Sequence, residues 1–232
     1  MSANHAAFNL IFRFVENYIS PIAGRISSQR HVMAIRDGFI SAMPFMIVGS
    51  FLLVFAYPPF SPDTTWGFAR AWLDLAKEFE GRILTPFDMT MGIMSIYICA
   101  AISYNLGKHY EKSNQLDPFM CAMLSIMAFL LIAAPKTNGT LPVDSLGGTG
   151  IFTAILVAIY CVEMMRFLKA HNIGIRLPDQ VPPMIKNSFD LLIPVLVVVL
   201  TLYPLSLFIQ HHFDMLIPQA IMAIFKPLVS AA

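Results

Sequence analysis

Charge is what this sequence has least of. Only 12% of its residues are Asp, Glu, Lys or Arg, against about a quarter in an average soluble domain. A surface that faces water on all sides cannot be built from so few. The formal net charge is +1, so there is neither a basic field to gather nucleic acid nor an acidic tail, and no nucleic-acid partner is expected. Cysteine is scarce too. Cys99, Cys121 and Cys161 each lie inside an apolar run, without C-x-x-C spacing, which argues against a metal knuckle or a redox pair and for small buried hydrophobes. H-E-x-x-H, Walker A and G-x-S-x-G patterns are missing, so no hydrolase, ATPase or metalloenzyme site can be argued, and neither a metal nor a cofactor is expected. There is also no Gly/Ser linker, no internal repeat and no compact apolar stretch of the kind that marks a cleavable leader.

What the chain does have is oil. Hydrophobic residues make up 57% of it and fifteen are methionine, with a mean hydropathy of +0.67. That is more apolar surface than one water-soluble core can hide, so lipid must solvate much of it. A helix needs about 20 apolar residues to cross the hydrocarbon. Five stretches come close to that length, 38–57, 89–107, 117–134, 145–167 and 190–210, each closed by proline or by charged residues. An all-α integral membrane fold of about five transmembrane helices follows. Before them, residues 1–30 carry Phe8, Ile11, Phe12, Val15 and Ile19 at helical spacing opposite Arg13, Glu16 and Asn17, the pattern of an amphipathic helix lying in the membrane interface. After them, 212–228 is apolar at helical spacing but short, and reads as an amphipathic or re-entrant segment. Residues 64–82 read as a partly helical external loop.

Lys and Arg concentrate in cytoplasmic loops. With the N-terminus inside, ten of them fall on the inner side and five outside, so this orientation is expected. All six histidines flank apolar stretches, and they read as solvated or interfacial side chains. The connector 174–194 is different. Pro178, Pro182 and Pro183 deny it a continuous helix, and Asp179, Lys186, Asn187 and Asp190 sit at the ends of two expected spans. Polar groups there line a pathway or gate in some membrane proteins and merely cap a charged loop in others. Both readings stay open for these four residues. The small residues Gly92, Ala100, Ala101 and Ser103 would allow a second copy to approach closely, which predicts a dimer contact.

The connector Leu177-Pro-Asp-Gln-Val-Pro-Pro-Met-Ile-Lys-Asn-Ser-Phe-Asp-Leu-Leu-Ile-Pro194 resembles the signature of the cellobiose, lactose and chitobiose family of phosphotransferase EIIC permeases. Arg36-Asp-Gly-Phe-Ile-Ser-Ala-Met-Pro-Phe, Thr90-Met-Gly-Ile-Met-Ser and Leu146-Gly-Gly-Thr-Gly-Ile-Phe are similar to that family's span entries. The resemblance covers about residues 21–230 and implies the front half of such a permease. That half holds two subunits together in a bacterial cytoplasmic membrane. It further implies a β-linked disaccharide as cargo and a cytoplasmic EIIB as phosphoryl donor. In the family the sugar site and its catalytic His and Glu belong to the back half, so no catalytic residue is assigned here. A membrane scaffold or sensory module that has lost transport is the alternative.

Overall fold

The structure is a computed structural model that describes residues 16, 20–135, 139–175, 178, 180, 182, 185 and 189–229. Its helices are α1 (Ser20–Ser27), α2 (Arg30–Ala56), α3 (Gly67–Asp88), α4 (Met94–Asn114), α5 (Pro118–Ala133), α6 (Ile151–Ala170), α7 (Leu192–Phe213) and α8 (Ile217–Val229), with a single 3₁₀ turn at Gly148–Gly150 leading into α6. No strand occurs among the described residues. By length and apolar composition α2, α6 with its 3₁₀ turn, and α7 can cross a membrane, while α5 and α8 are shorter apolar helices.

α2 is inside out compared with a helix of a soluble protein. On α2 the buried residues are Ala34, Gly38, Ala42, Gly49 and Ala56, whereas Phe51 is 63% exposed and Phe55 56%. Lipid solvates large apolar side chains as well as a core would, so helices gain by turning small residues inward and letting backbones approach. The sites at 34, 38 and 42 recur every four residues and form one stripe facing α4. There, Gly38 lies against Ile102 and Gly49 against Thr90 and Met91, so α2 and α4 run antiparallel. Phe45 stacks on Tyr97 at 4.3 Å along the same seam.

α4 is the hub, packed by α2, α5 and α6. It buries Ile98, Cys99, Ile102, Ser103 and Leu106, and Phe129 and Ile132 of α5 and Val162 of α6 complete the core. Several small residues of α4, Ser95, Cys99, Ser103 and Gly107, are buried within the chain. Ser103 is fully buried and its hydroxyl donates to the Cys99 carbonyl at 2.8 Å, while a Cβ on Gly92 would collide with Asp88. Ser103 therefore faces the chain's own core and takes no part in a contact with a second copy, whereas Gly92, Ala100 and Ala101 stay partly exposed.

The segment expected as a partly helical loop over 64–82 is an amphipathic helix from Gly67 that continues to Asp88, with Ala69 and Ala76 buried on the side packed on α2. At its start Phe55, Phe60, Trp66, Phe68 and Trp72 cluster ring on ring, and the Trp72 indole donates to the Phe55 carbonyl at 3.2 Å. Residues 89–93 are turn, and α4 begins only at Met94. This turn docks on the 3₁₀ entry of α6: Ser95 N–H donates to the Leu146 carbonyl at 2.9 Å, and the Ser95 hydroxyl donates to the Gly147 carbonyl. Two of the family-like motifs thus meet across 52 residues of sequence as a packing contact.

α5 starts where a start signal stands. Asp117 is the N-cap, Pro118 follows it, and the Asp117 carboxylate accepts from the amides of Phe119 at 2.9 Å and Met120 at 3.3 Å. Asp117→Ala should cost about 1 kcal/mol, read as an earlier melting transition of the detergent-solubilised protein. At the opposite end α8 lies across the entry of α6, with Phe225 stacked on Phe152 at 4.5 Å.

Candidate functional site

The antiparallel order brings the start of α2, the ends of α4 and α6 and the start of α7 to one end of the bundle, together with Arg30, Arg36, Lys108, Lys112, Arg166 and Lys169. This basic end holds two polar centres.

The first is a cavity of about 570 Å³ between the end of α4, the end of α6 and the start of α7, lined by Ser113, Asn114, Gln115, Lys169, Asn172 and Asp190 among others. Its geometry follows from how two helices stop. Gln115 ends α4 in the left-handed conformation at φ 55°, and Asn172 does the same beyond α6 at φ 56°. Both turns expose backbone carbonyls that need donors. Lys169 supplies one, donating to the Gln115 carbonyl at 2.6 Å, and the same ammonium stands 3.4 Å from Asp190 at the start of α7. One side chain thus ties α4, α6 and α7 together at the mouth of the cavity. Of the four residues singled out in the connector, Asp190 lines this cavity; Asp179, Lys186 and Asn187 lie outside the described residues.

The second centre was not foreseen. Glu163, on α6, accepts through Oε1 from the Tyr110 hydroxyl of α4 at 2.8 Å. The same oxygen lies 3.0 Å from His31 Nε2 at the start of α2. The carboxylate has no proton to give, so Nε2 carries it. Oε2 meets Arg166 at 2.6 Å, one turn further along α6. His31 is therefore a bonded, half-buried member of a network joining three helices, not a solvated flank. The other described histidines near helix ends stay local: His171 and His212 each contact a carbonyl four residues back. The signal in the sequence was Glu163 itself. A carboxylate at the end of a long apolar run is too costly to leave unpaired, and Arg166 stands at the i+3 position that pairs on a helix. Arg36, by contrast, bonds its neighbour Asp37 at 2.8 Å on an exposed face, which ties no elements together. Among the described residues no group of three or more His, Cys, Asp or Glu side chains is arranged to hold a metal.

Both centres suit binding, locking or gating; neither displays a nucleophile beside a base. Comparison with known proteins says what such a bundle belongs to. The family described as "Phosphotransferase system, EIIC" matches residues 36–231. This chain is an EIIC protein. It is 35% identical over 206 residues to the cellobiose-specific EIIC component of Geobacillus stearothermophilus, covering 81% of this chain and 43% of that one. To the lactose-specific EIICB component of Streptococcus mutans it is 33% identical, covering 91% of this chain and 37% of the relative. The crystal structure of the transporter ChbC, the IIC component of an N,N'-diacetylchitobiose-specific phosphotransferase system, superposes with a TM-score of 0.77 at 31% identity. That match takes in 94% of this chain and 52% of ChbC. The EIIC chain therefore spans about half the length of the relatives it matches, and its all-α membrane fold is theirs.

Proposed function

We propose that this chain forms the membrane-scaffold half of an EIIC permease. The permease brings a β-linked disaccharide across a bacterial cytoplasmic membrane while an EIIB partner on the inner side phosphorylates it. One observation carries the reading, the correspondence of 94% of the chain to half of ChbC. The relatives' names, cellobiose, lactose and N,N'-diacetylchitobiose, share one chemistry, two pyranoses joined through a β-linkage. The basic end faces the cytoplasm in this reading, and the ten-to-five division of Lys and Arg supports it. Asp190, with Asp179, Lys186 and Asn187, forms a gate at that face, supported by the place of Asp190 beside the cavity. The functional unit is a homodimer.

Two measurements test this. Membranes holding the chain together with the permease's remaining half should phosphorylate cellobiose, lactose or chitobiose once EIIB is added; silence with all three sugars removes the reading. A cysteine placed at Lys77 should react with a membrane-impermeant maleimide in intact cells, and one at Lys112 only after permeabilisation. The reverse pattern inverts the topology.

A further inference from the structure

Two guanidinium groups converge on one buried ring. Arg30, the first residue of α2, stands 5.5 Å from the centroid of the Tyr110 ring, and Arg166 of α6 stands 5.0 Å from it. Tyr110 itself is only 3% exposed. Planar cations held against an aromatic ring are fixed before any ligand arrives, so little side-chain entropy is left to lose on binding.

The local charges do not cancel. Glu163 is the carboxylate within reach, and it already accepts from Tyr110, His31 and Arg166. Arg36 has its own partner in Asp37. Among the described residues no carboxylate pairs with Arg30, which is exposed. Arg166 keeps 44% of its side chain exposed, and its Nε is buried without a hydrogen-bond partner. The start of α2 adds to the imbalance, since Gln29 at the N-cap contributes no side-chain bond to the first amides. Two permanent cations and one carboxylate leave an excess positive charge with unused donors.

The position decides what anion meets it. α2 has 27 residues and is about 40 Å long, longer than the roughly 30 Å hydrocarbon core, so its first residue lies at the depth of lipid headgroups. Basic pockets between helices at that depth bind anionic headgroups, and guanidinium matches phosphate with paired donors.

We infer that Arg30 and Arg166, held against Tyr110, form a binding site for a phosphate-type anion, supplied in the membrane by the headgroup of an anionic phospholipid. The inference needs the membrane but not the transport reading.

Native mass spectrometry of the detergent-purified protein tests it, with dioleoyl phosphatidylglycerol and dioleoyl phosphatidylcholine as probes. The expected result is retention of the anionic lipid over the zwitterionic one, weakened roughly tenfold by Arg30→Gln and unchanged by Arg25→Gln, which removes an exposed arginine outside the cluster. Arg30 makes no hydrogen bond to a carboxylate, so Arg30→Gln should fold as the parent does; Arg30→Lys keeps the charge but not the fork and should recover only part of the binding. If inorganic phosphate displaces the lipid at equal concentration, the site stands with a soluble anion as its ligand. Equal losses from Arg25→Gln and Arg30→Gln would show general surface attraction and overturn the site. So would the absence of any preference between the two lipids together with no effect of phosphate.

Discussion

A Gly38→Val chain is expected to fail to assemble its bundle. A Cβ at this position would overlap Cγ1 of Ile102 and lie 2.9 Å from the Ile102 backbone nitrogen. The second contact matters more, because a side chain can turn away while the backbone of a central helix cannot. Overpacking a tight core costs about 1–3 kcal/mol, and more where backbones must separate. Pushing α2 off α4 also opens the Ala34, Ala42 and Gly49 contacts along the same seam. The measurement is monodispersity and thermal melting in mild detergent, with Gly24→Ala as control, since nothing lies within 4 Å of a Cβ there. Gly38→Ala should fold with a clearly lowered melting temperature. A valine variant that melts like the parent would mean that α2 and α4 are not tightly joined.

This stripe also marks how far the sequence could be read. That 38–57 is long and oily is legible because lipid imposes a length requirement on any apolar run, and a count of residues tests it. Which residues of that run face protein is decided by size, not by polarity, since both faces of α2 are apolar. Ala34, Gly38 and Ala42 stand in the sequence at intervals of four, yet small residues on α4 looked equally suited to a helix contact. Only the pairing of α2 with α4 shows that the α2 stripe and Ser103 face the chain's own core. Residues 64–88 were harder for a different reason. Charges of both signs surround Trp66 and Trp72, and that pattern suits a loop or an interfacial helix equally well; packing of Ala69 and Ala76 on α2 decides for helix. In the connector, proline spacing made the break evident, whereas the tie from Lys169 to Gln115 and Asp190 depends on two helix ends meeting in space. Local sequence carries no trace of that meeting.

The largest loss from a single polar change is expected at Glu163. Glu163→Ala strands three donors at once, from His31, Tyr110 and Arg166, whose positions are otherwise set by the packing of α2, α4 and α6. Breaking a fully buried ion pair costs about 3–5 kcal/mol. With a quarter of the Glu163 side chain still exposed, water can reach the abandoned groups, and a loss of about 2 kcal/mol is the expected figure. Glu163→Gln keeps an acceptor for the tyrosine hydroxyl and should recover part of that loss. Tyr110→Phe removes one neutral donor from an acceptor that retains others, and should cost about 1 kcal/mol. The double variant separates a network from a collection of pairs. If Tyr110 acts on stability mainly through Glu163, then Tyr110→Phe added to Glu163→Ala should change melting little beyond Glu163→Ala alone. Full additivity would mean that Tyr110 contributes independently of Glu163 and that the bond between α4 and α6 adds nothing to stability. A shared loss would make this one carboxylate the polar lock between α6 and the hub helix α4.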